Sequence, residues 1–216
     1  MTRRCSRRRI LASLTLVALA APAIAGRVAH PSAARELRPS SKSMSLCGTE
    51  RWAVKTLTDP QARLVNFHPH RTTVSALRQL RPSGSFRRGR GVERRTYRVK
   101  ARLVEAKFED DQDIHLVIAD LHHSSQTMIV EFPASNCVRS AASTRRRQMI
   151  QARKNLIRAC GYPSAADFTS LQGAALVTGV GFFDFIHGQT GVAPNGIELH
   201  PVLAFSHSRC GYRRSA

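Results

Sequence analysis

The amino-acid sequence predicts a mainly β protein, a five-stranded barrel that carries one helix, on three observations. Apolar or alternating segments recur through the second half of the chain and are separated by turn-forming residues. A single amphipathic segment with helical periodicity interrupts them. Gly179 and Gly181 lie inside an apolar segment, which is expected of a strand that bends sharply around a small barrel.

The first three predicted strands form a meander. The first begins at Tyr97 and alternates apolar with basic residues, so its basic side chains share one face. An acidic turn at residues 109–113 leads into an apolar strand at 114–120, and a short turn joins that strand to its partner at 127–132. Pro133 ends the third strand because proline cannot donate a hydrogen bond to a sheet.

A helix and two further strands complete the predicted barrel. The helix covers residues 143–159, where apolar residues recur at helical spacing beneath an arginine-rich outer face that includes Arg153. Strands at 177–183 and 197–205 follow it. The loop between them, residues 184–196, is rich in Gly, Pro and Asn and also holds several polar candidates for a site.

The region before the barrel, residues 47–96, is interpreted as an N-terminal extension. Residues 51–56 alternate like a short strand, and residues 72–80 have helical spacing with a threonine at the start. A basic, glycine-containing loop connects this region to the barrel domain at 97–210. Residues 211–216 are interpreted as a tail.

The first 25 residues have the three parts of a signal peptide. Arginines form a positive start, an apolar stretch too short to cross a bilayer follows, and an A-x-A cleavage motif ends it. The arginines before Ile10 are also similar to the twin-arginine export signature, so a general secretory and a twin-arginine route are both open. Residues 26–46 are polar and predict a flexible linker. We therefore expect a secreted or periplasmic protein without a transmembrane segment.

The chain is strongly basic, with a formal charge of +20 that falls to +15 once the five signal-peptide arginines are removed. Such a field attracts nucleic acid, anionic lipid head groups or acidic envelope polymers. An arginine-rich composition that serves solubility alone is the alternative. The charge is densest around the start of the first barrel strand, where it could track a phosphate backbone or simply form a solvated face. This basic stripe contains Arg94, Arg95, Arg98, Lys100 and Arg102.

Four cysteines remain after the signal peptide. An even number in an exported protein predicts two disulfides, for which three pairings exist. We favour Cys137–Cys160, which would bracket the helix, and Cys47–Cys210, which would join the ends of the domain. A zinc site is the alternative, but the C-x-x-C spacing typical of such sites is missing.

The order of strands and helix is that of the OB-fold, a five-stranded partly open barrel whose ligand face is flanked by the loops after strands one and four. Here these loops are residues 109–113 and 184–196, so we expect the two to meet at one rim. The order also resembles the thermonuclease-like OB-folds, which are exported phosphodiesterases. That resemblance concerns element order only, and no catalytic residue is carried over from it.

Four segments carry a closer resemblance: ERWAVKT, DIHLVIAD, TMIVEFP and GFFDFIHGQTGVAPNGIELHPV. They are similar to segments of an uncharacterised family of exported bacterial proteins with an OB-fold-like barrel. The resemblance covers most of residues 50–205. It implies an exported barrel protein and no particular activity.

Carboxylates and imidazoles recur two residues apart on two predicted strands, where such residues share a face. The metal-ligand candidates are Asp113, His115 and Asp184, and the catalytic candidates are Glu198, His200 and His187. These ligand types suit Zn²⁺ or Mn²⁺, or Ca²⁺ where carboxylates dominate. The alternative is that the histidines are hydrogen-bonded barrel residues and the carboxylates pair with arginines.

Three functions are consistent with these patterns. The first is an exported, non-enzymatic module that binds an anionic polymer such as nucleic acid through the basic stripe. The second is a metal-dependent extracellular nuclease or phosphodiesterase that uses the six rim residues. The third is a structural or protein-docking domain, in which the 184–196 loop only builds turns. No motif in the chain selects one reaction.

Overall fold

The computed structural model describes residues 47–82, 86–140 and 143–212, so the predicted signal peptide, the linker and residues 213–216 lie outside the described residues. The described part is mainly β. Its strands are β1 Asn66–Thr72, β2 Arg95–Phe108, β3 Ile114–Ala119, β4 Thr127–Phe132, β5 Thr169–Phe183 and β6 Ile197–Tyr212. Its helices are α1 Trp52–Lys55, α2 Val74–Leu77, α3 Ser135–Ser140 and α4 Arg146–Cys160, with 3₁₀ turns at Ala62–Leu64 and Gly91–Arg94.

The strands form one mixed sheet in the order β1-β2-β3-β4-β6-β5. β2 pairs in parallel with β1 near its start and antiparallel with β3 near its end, and its other edge pairs antiparallel with β5. β4 pairs antiparallel with β3 and parallel with β6, and β6 pairs antiparallel with β5. The pairings of β2, β3, β4, β6 and β5 therefore return to β2 and form a closed circuit.

One face of this circuit packs into the main hydrophobic core. On β2, Val99 and Ala101 are buried while Lys100 and Arg102 are exposed, which confirms the predicted alternation. Apolar side chains of β3, β4 and β6 join the same core cluster. We call the opposite face of the strands the outer face. On β3, β4 and β6 the outer face is also buried, and it is here that polar side chains collect.

The predicted strand at residues 51–56 is wrong, because the chain forms the single-turn helix α1 there. The turn begins after Arg51, whose φ of 47° places it in the left-handed region. Ion pairs to Glu93 and Asp184, both distant in sequence, anchor its two ends. Six residues are too few for the spacing of apolar side chains to distinguish a strand from one helical turn. Tertiary contacts therefore determine which of the two forms.

β1 was not predicted. Its sequence, NFHPHRT, is polar, contains Pro69 and is largely exposed. It forms an edge strand in parallel with β2, a position in which a proline is tolerated. Parallel pairing with a strand far along the chain leaves no local pattern that a single sequence can reveal.

The predicted long helix is confirmed as α4, which Gly161 ends with a φ of 82°. The predicted helix at 72–80 is confirmed only as the short α2, whose Thr73 hydroxyl accepts a hydrogen bond from Ala76 N at 3.1 Å. The outward placement of Arg153 is wrong. Arg153 is buried and donates hydrogen bonds to the carbonyls of Phe132 (2.5 Å) and Gln112 (2.7 Å).

The last two strands are longer than predicted. β5 begins at Thr169 and not near 177, and β6 continues to Tyr212 and not only to 205. The additional residues pair with each other, as in the register Leu171 with Tyr212. Backbone hydrogen bonds thus extend the ladder through partly exposed segments that lack a continuous apolar pattern.

All four cysteines form disulfides, but the favoured pairing is wrong. The bonds are Cys47–Cys137 and Cys160–Cys210, with Cα separations of 5.8 and 5.1 Å. Cys137 belongs to α3, and Cys160 is the last residue of α4, which spans 15 residues or roughly 22 Å. A disulfide needs Cα atoms closer than about 7 Å, and the fold brings Cys47 to Cys137 and Cys210 to Cys160 within that range.

No helix within the described ranges is long and apolar enough to cross a membrane. The two disulfides are compatible with an extracellular protein, because such bonds persist in oxidising compartments.

Candidate functional site

An acidic cleft of about 470 Å³ lies on the outer face of β3, β4 and β6. The acidic turn, the 184–196 loop and α1 form its walls, so the two loops that were expected to meet at one rim do line the same cleft. Seven of the chain's 14 carboxylates line it, which concentrates negative charge in a basic protein. The lining residues are Glu50, Lys55, Glu109, Asp110, Asp111, His115, Glu131, Phe168, Asp184, His187, Gly188, Gln189, Thr190 and Glu198.

Strand register places polar side chains in a row across the cleft floor. His115 on β3 is paired with Glu131 on β4. Val130 on β4 is paired with Leu199 on β6, so His200 follows beside Glu131. The three side chains share the outer face because their neighbours along each strand point into the main core.

The Glu131 carboxylate lies between two imidazoles. Its Oε1 is 3.5 Å from His115 Nδ1, and its Oε2 is 3.1 Å from His200 Nδ1. On the other side of the His200 ring, Nε2 is 3.7 Å from Asp113 Oδ2. Potential ligand atoms of Asp113, Glu131 and His200 all lie within 4.8 Å of one another. We call these three residues the buried cluster.

The buried cluster contains polar atoms without hydrogen bonds. Asp113 is 1% exposed and His200 is 0% exposed. Asp113 Oδ2 and His200 Nε2 make no hydrogen bond within the part of the chain that the structure describes, and neither does Glu198 Oε2 nearby, whereas His200 Nδ1 has only its 3.1 Å contact with Glu131. An unbonded buried polar group costs about 1–3 kcal/mol, so native proteins rarely keep one without a reason. These atoms are therefore placed to hold a cation or an ordered water.

Asp113 is held by one oxygen and leaves the other free for the cluster. Its Oδ1 accepts a hydrogen bond from Ala134 N at 2.7 Å, while its own backbone N donates to Asp111 Oδ1 at 3.1 Å. Burial, followed by the nearby charges of Asp111 and Glu131, raises the pKa of Asp113 well above its usual range. A positive partner near Oδ2 would favour the ionised carboxylate.

The other carboxylate of the cluster behaves in the opposite way. Burial opposes ionisation of Glu131, but contacts with His115 and His200 hold its pKa below the usual range. His115 donates its Nε2–H to Thr190 O at 2.9 Å. Although burial opposes it, contact with Glu131 raises the pKa of His115. Glu131 is thus an ionised group that faces both the cleft and the buried cluster.

Lys55 is the one lysine or arginine side chain among the cleft-lining residues. Its Nζ lies 3.0 Å from Asp184 Oδ2. Burial opposes its charge, but Glu131, Asp184 and Glu198 raise the pKa of Lys55 overall. Burial, with the charges of Glu131 and Asp184, raises the pKa of Glu198 well above its usual range. The cleft therefore combines the Lys55 ammonium with two carboxyl groups, Glu131 with a lowered pKa and Glu198 with a raised pKa.

Buried ion pairs hold α1, and with it Lys55, against the sheet. The guanidinium of Arg51 contacts both oxygens of Glu93 at 2.9 Å, and Glu93 also accepts a hydrogen bond from Phe183 N at 3.0 Å. Arg88 contacts Asp59 at 2.8 Å and donates to the carbonyl of Glu93 at 2.9 Å. We call Arg51, Glu93, Arg88 and Asp59 the arginine clamp. Arg88, which belongs to the basic, glycine-containing loop before β2, is thus a buried structural residue.

The 184–196 loop is fastened over β3. Gly191 has a φ of 79°, and any Cβ at this position would overlap the side chain of Val117. The Asn195 side chain donates to the carbonyls of Leu77 (3.0 Å) and Leu80 (2.8 Å), which ties the loop to the end of α2. These contacts bring the loop down onto the outer face and form one wall of the cleft.

The structure brings the six rim candidates together, but at two depths. His115, Asp184, His187 and Glu198 line the cleft, whereas Asp113 and His200 lie in the buried cluster behind it. Sequence reasoning missed Glu131 and Lys55. Glu131 is the next-to-last residue of an apolar strand, a position where a charged side chain usually faces solvent. The register of the β3–β4 hairpin, which places it opposite His115, was the signal that could have found it.

The basic stripe lies elsewhere on β2. Lys100, Arg102 and Arg95 are exposed, while Arg98 Nε is 3.3 Å from Thr178 Oγ1 and Arg94 is half-buried. None of the five forms an ion pair with a carboxylate of the described residues. About seven residues separate Arg102 from Glu109 at the cleft, which is roughly 20 Å along a strand. The stripe and the cleft are therefore separate surfaces.

Comparisons with known proteins give no relative: no family model, no curated protein and no solved structure matches the chain.

Proposed function

We propose that the protein is a divalent-cation-dependent phosphodiesterase that acts on nucleic acid. The observation that carries the proposal is the buried cluster: Asp113 and His200 carry unbonded atoms, and potential ligand atoms of both and of Glu131 lie within 4.8 Å of one another behind an open cleft. Oxygen and imidazole ligands of this kind suit Zn²⁺ or Mn²⁺. Glu131 also lines the cleft, so a cation held by the cluster would lie at the cleft floor.

We further propose that the five strands β2–β6 form an OB-type barrel. The closed circuit of pairings supports this, with one parallel contact between β4 and β6 and antiparallel contacts elsewhere. In OB-folds the ligand face is the face of the second and third strands, between the first and fourth loops. The corresponding position here is the outer face of β3 and β4, where the cleft lies.

A bound divalent cation would supply charge neutralisation and a water of lowered pKa at the phosphodiester. The chain supplies the remaining functions. Lys55 places a fixed positive charge in the cleft for a non-bridging phosphate oxygen. His115, fastened to Thr190 O, orients Glu131 for the cation. His187, which is exposed at the rim of the cleft, would exchange a proton with the leaving oxygen.

The test is metal analysis of the purified protein together with cleavage assays on DNA, with and without a chelator. We expect bound divalent metal and chelator-sensitive cleavage. The substitution Glu131→Gln should lose both, whereas Glu50→Gln, an exposed carboxylate of the same cleft, should keep the metal. A protein that contains no metal, binds no added Zn²⁺ or Mn²⁺ and cleaves no phosphodiester would overturn the proposal.

The basic stripe favours a second candidate, non-catalytic binding of an anionic polymer. Its exposed cations lack carboxylate partners among the described residues, so they can neutralise phosphates. Joint substitution of Lys100 and Arg102 by Gln should then weaken oligonucleotide binding and lower its salt dependence, by about one unit of slope for each phosphate that is no longer neutralised. Salt-independent affinity would exclude this candidate.

A further inference from the structure

A second hollow, of about 780 Å³, lies on the other side of α1 from the acidic cleft. Its walls include Trp52 of α1 and Phe86 of the basic loop, whereas Lys55 at the end of the same helix lines the acidic cleft. α1 has only four residues, roughly 6 Å along its axis, and residues of this single turn line both cavities.

The mouth of this hollow carries the most exposed large apolar side chain of the described residues. Phe86 is 78% exposed, and its ring lies 5.4 Å from that of Phe185, which is 43% exposed. Phe185 belongs to the 184–196 loop and stands between Asp184 and His187, both of which line the acidic cleft. The aromatic pair therefore marks the border between the two cavities. Paired apolar side chains that remain in water are typical of a binding surface.

The charged groups in the wall of the hollow are already engaged. Arg51, Arg87 and Arg88 line it, and the guanidinium groups of Arg51 and Arg88 are saturated by the arginine clamp. The hollow therefore offers a ligand aromatic surface beside the exposed Arg87, within a protein whose net charge of +20 attracts polyanions. A flat, apolar-faced group carried on an anionic chain fits this combination.

We propose that this aromatic hollow, lined by Trp52 and Phe86 and bordered by Phe185, whose ring lies against that of Phe86, binds an unpaired base of a single-stranded nucleic acid whose backbone passes the acidic cleft. This inference rests on the proposed function and names its substrate class. Aromatic rings stack on every base, which gives affinity without sequence preference. Bases of a duplex are paired and stacked inside it, so a duplex cannot fill the hollow without being opened.

The chain contains its own reporter for this binding. Trp52 is its single tryptophan and lines the hollow, so a stacked base should quench the intrinsic fluorescence. The titration uses full-length protein in the presence of a chelator, so that cleavage does not interfere. Oligodeoxythymidylate is compared with an abasic oligonucleotide that has the same number of phosphates. We expect quenching by the first and little by the second.

The matched variants are Phe86→Leu, Phe185→Leu and the control Tyr162→Leu, which removes an exposed aromatic ring that lines neither cavity. Each of the first two should weaken oligodeoxythymidylate binding roughly ten-fold, in line with the removal of one stacking ring. The control should bind like the wild type. Thermal melting checks that all three variants fold.

The outcomes separate this inference from the proposed function. Equal binding of the abasic and the base-containing strand, a preference for duplex, or unchanged affinity of both Phe variants would each overturn the inference, even if the protein cleaves DNA. Base-dependent quenching in a protein that cleaves nothing would support the inference and remove the phosphodiesterase proposal.

Discussion

The arginine clamp and the buried cluster both remove charged side chains from water, but they differ in how those charges are satisfied. Glu93, at 0% exposure, receives both guanidinium nitrogens of Arg51 and two backbone N–H groups. In the buried cluster, Asp113 Oδ2 and His200 Nε2 lack hydrogen bonds among the described residues, and His200 Nδ1 has only its contact with Glu131. A saturated network rigidifies a structure, whereas a half-satisfied one destabilises it unless something else binds.

The two regions therefore have different functions within one outer face. The clamp fastens α1 to the start of β2 and the end of β5, which fixes Lys55 and Trp52 in their cavities. The cluster does little for the fold, since the strands that carry it are already held by their backbone ladders and the main core. Its unbonded atoms are what make it a candidate for a bound cation.

The largest effect is expected from breaking the clamp. Glu93→Gln keeps the size of the side chain but leaves Arg51 as a buried cation without a charged partner. We expect a loss of about 3–5 kcal/mol in the free energy of unfolding, measured by chemical denaturation. Glu50→Gln, an exposed carboxylate, is the control and should change stability little. A loss below about 1 kcal/mol for Glu93→Gln would mean that the clamp is not structural.

An intermediate effect is expected from the cluster, and only in the presence of metal. Asp113→Asn retains an oxygen for Ala134 N, and burial already disfavours the ionised carboxylate by raising the pKa of Asp113, so the metal-free protein should keep its stability. Added Zn²⁺ or Mn²⁺ at 100 times its dissociation constant should stabilise the wild type by about 2.7 kcal/mol. We expect this gain, measured as a shift in melting temperature, to disappear in the variant. If metal-free Asp113→Asn unfolds as readily as Glu93→Gln, the distinction between the two regions fails.

The smallest effect is expected from a saturated carboxylate outside both regions. Burial opposes ionisation of Asp120, but hydrogen bonds from Ser75 N (3.0 Å) and His122 N (3.0 Å) lower the pKa of Asp120 below its usual range. A depressed carboxylate pKa stabilises the fold above the unfolded value of about 3.9, and the gain is lost as the pH falls below it. His123 Nδ1, 3.5 Å away, is the titratable group that faces it.

The corresponding variant is Asp120→Asn, compared with the wild type in denaturation curves between pH 7 and pH 2. At pH 7 the variant should be less stable by about 1 kcal/mol, because hydrogen bonds to a charged acceptor are replaced by neutral ones. The difference should shrink as the pH falls. A constant or growing difference in acid would contradict the assignment of this carboxylate as a satisfied charge.

The sequence alone predicted the elements that carry a strong period. The hairpin β3–β4, helix α4 and the alternation of β2 all have local patterns of apolar residues that match one backbone geometry. The same alternation explains why Asp113, His115, Glu198 and His200 could be named as neighbours. The alternation could not reveal how deeply each of these side chains is buried, because burial depends on which loops cover the strand.

Long-range contacts explain what the sequence did not reveal. Helix α1 and strand β1 exist because Glu93, Asp184 and β2 are their partners, and none of these is near them in sequence. Lys55 meets Asp184, and Glu131 meets His200, through contacts that are also distant in sequence. The disulfide pairing depended on the tertiary contacts that bring Cys47 to Cys137 and Cys210 to Cys160.

By itself, therefore, the sequence determined a basic, mainly β chain with four cysteines beyond the first 25 residues and a set of acid and imidazole candidates on alternating strands. These features follow from composition and from side-chain periods of two and 3.6 residues. Tertiary structure alone decided which charged groups became saturated in the arginine clamp and which were left unbonded in the buried cluster. The physical reason is that hydrogen-bond satisfaction depends on partners from distant segments, and only the folded chain brings them within about 3 Å.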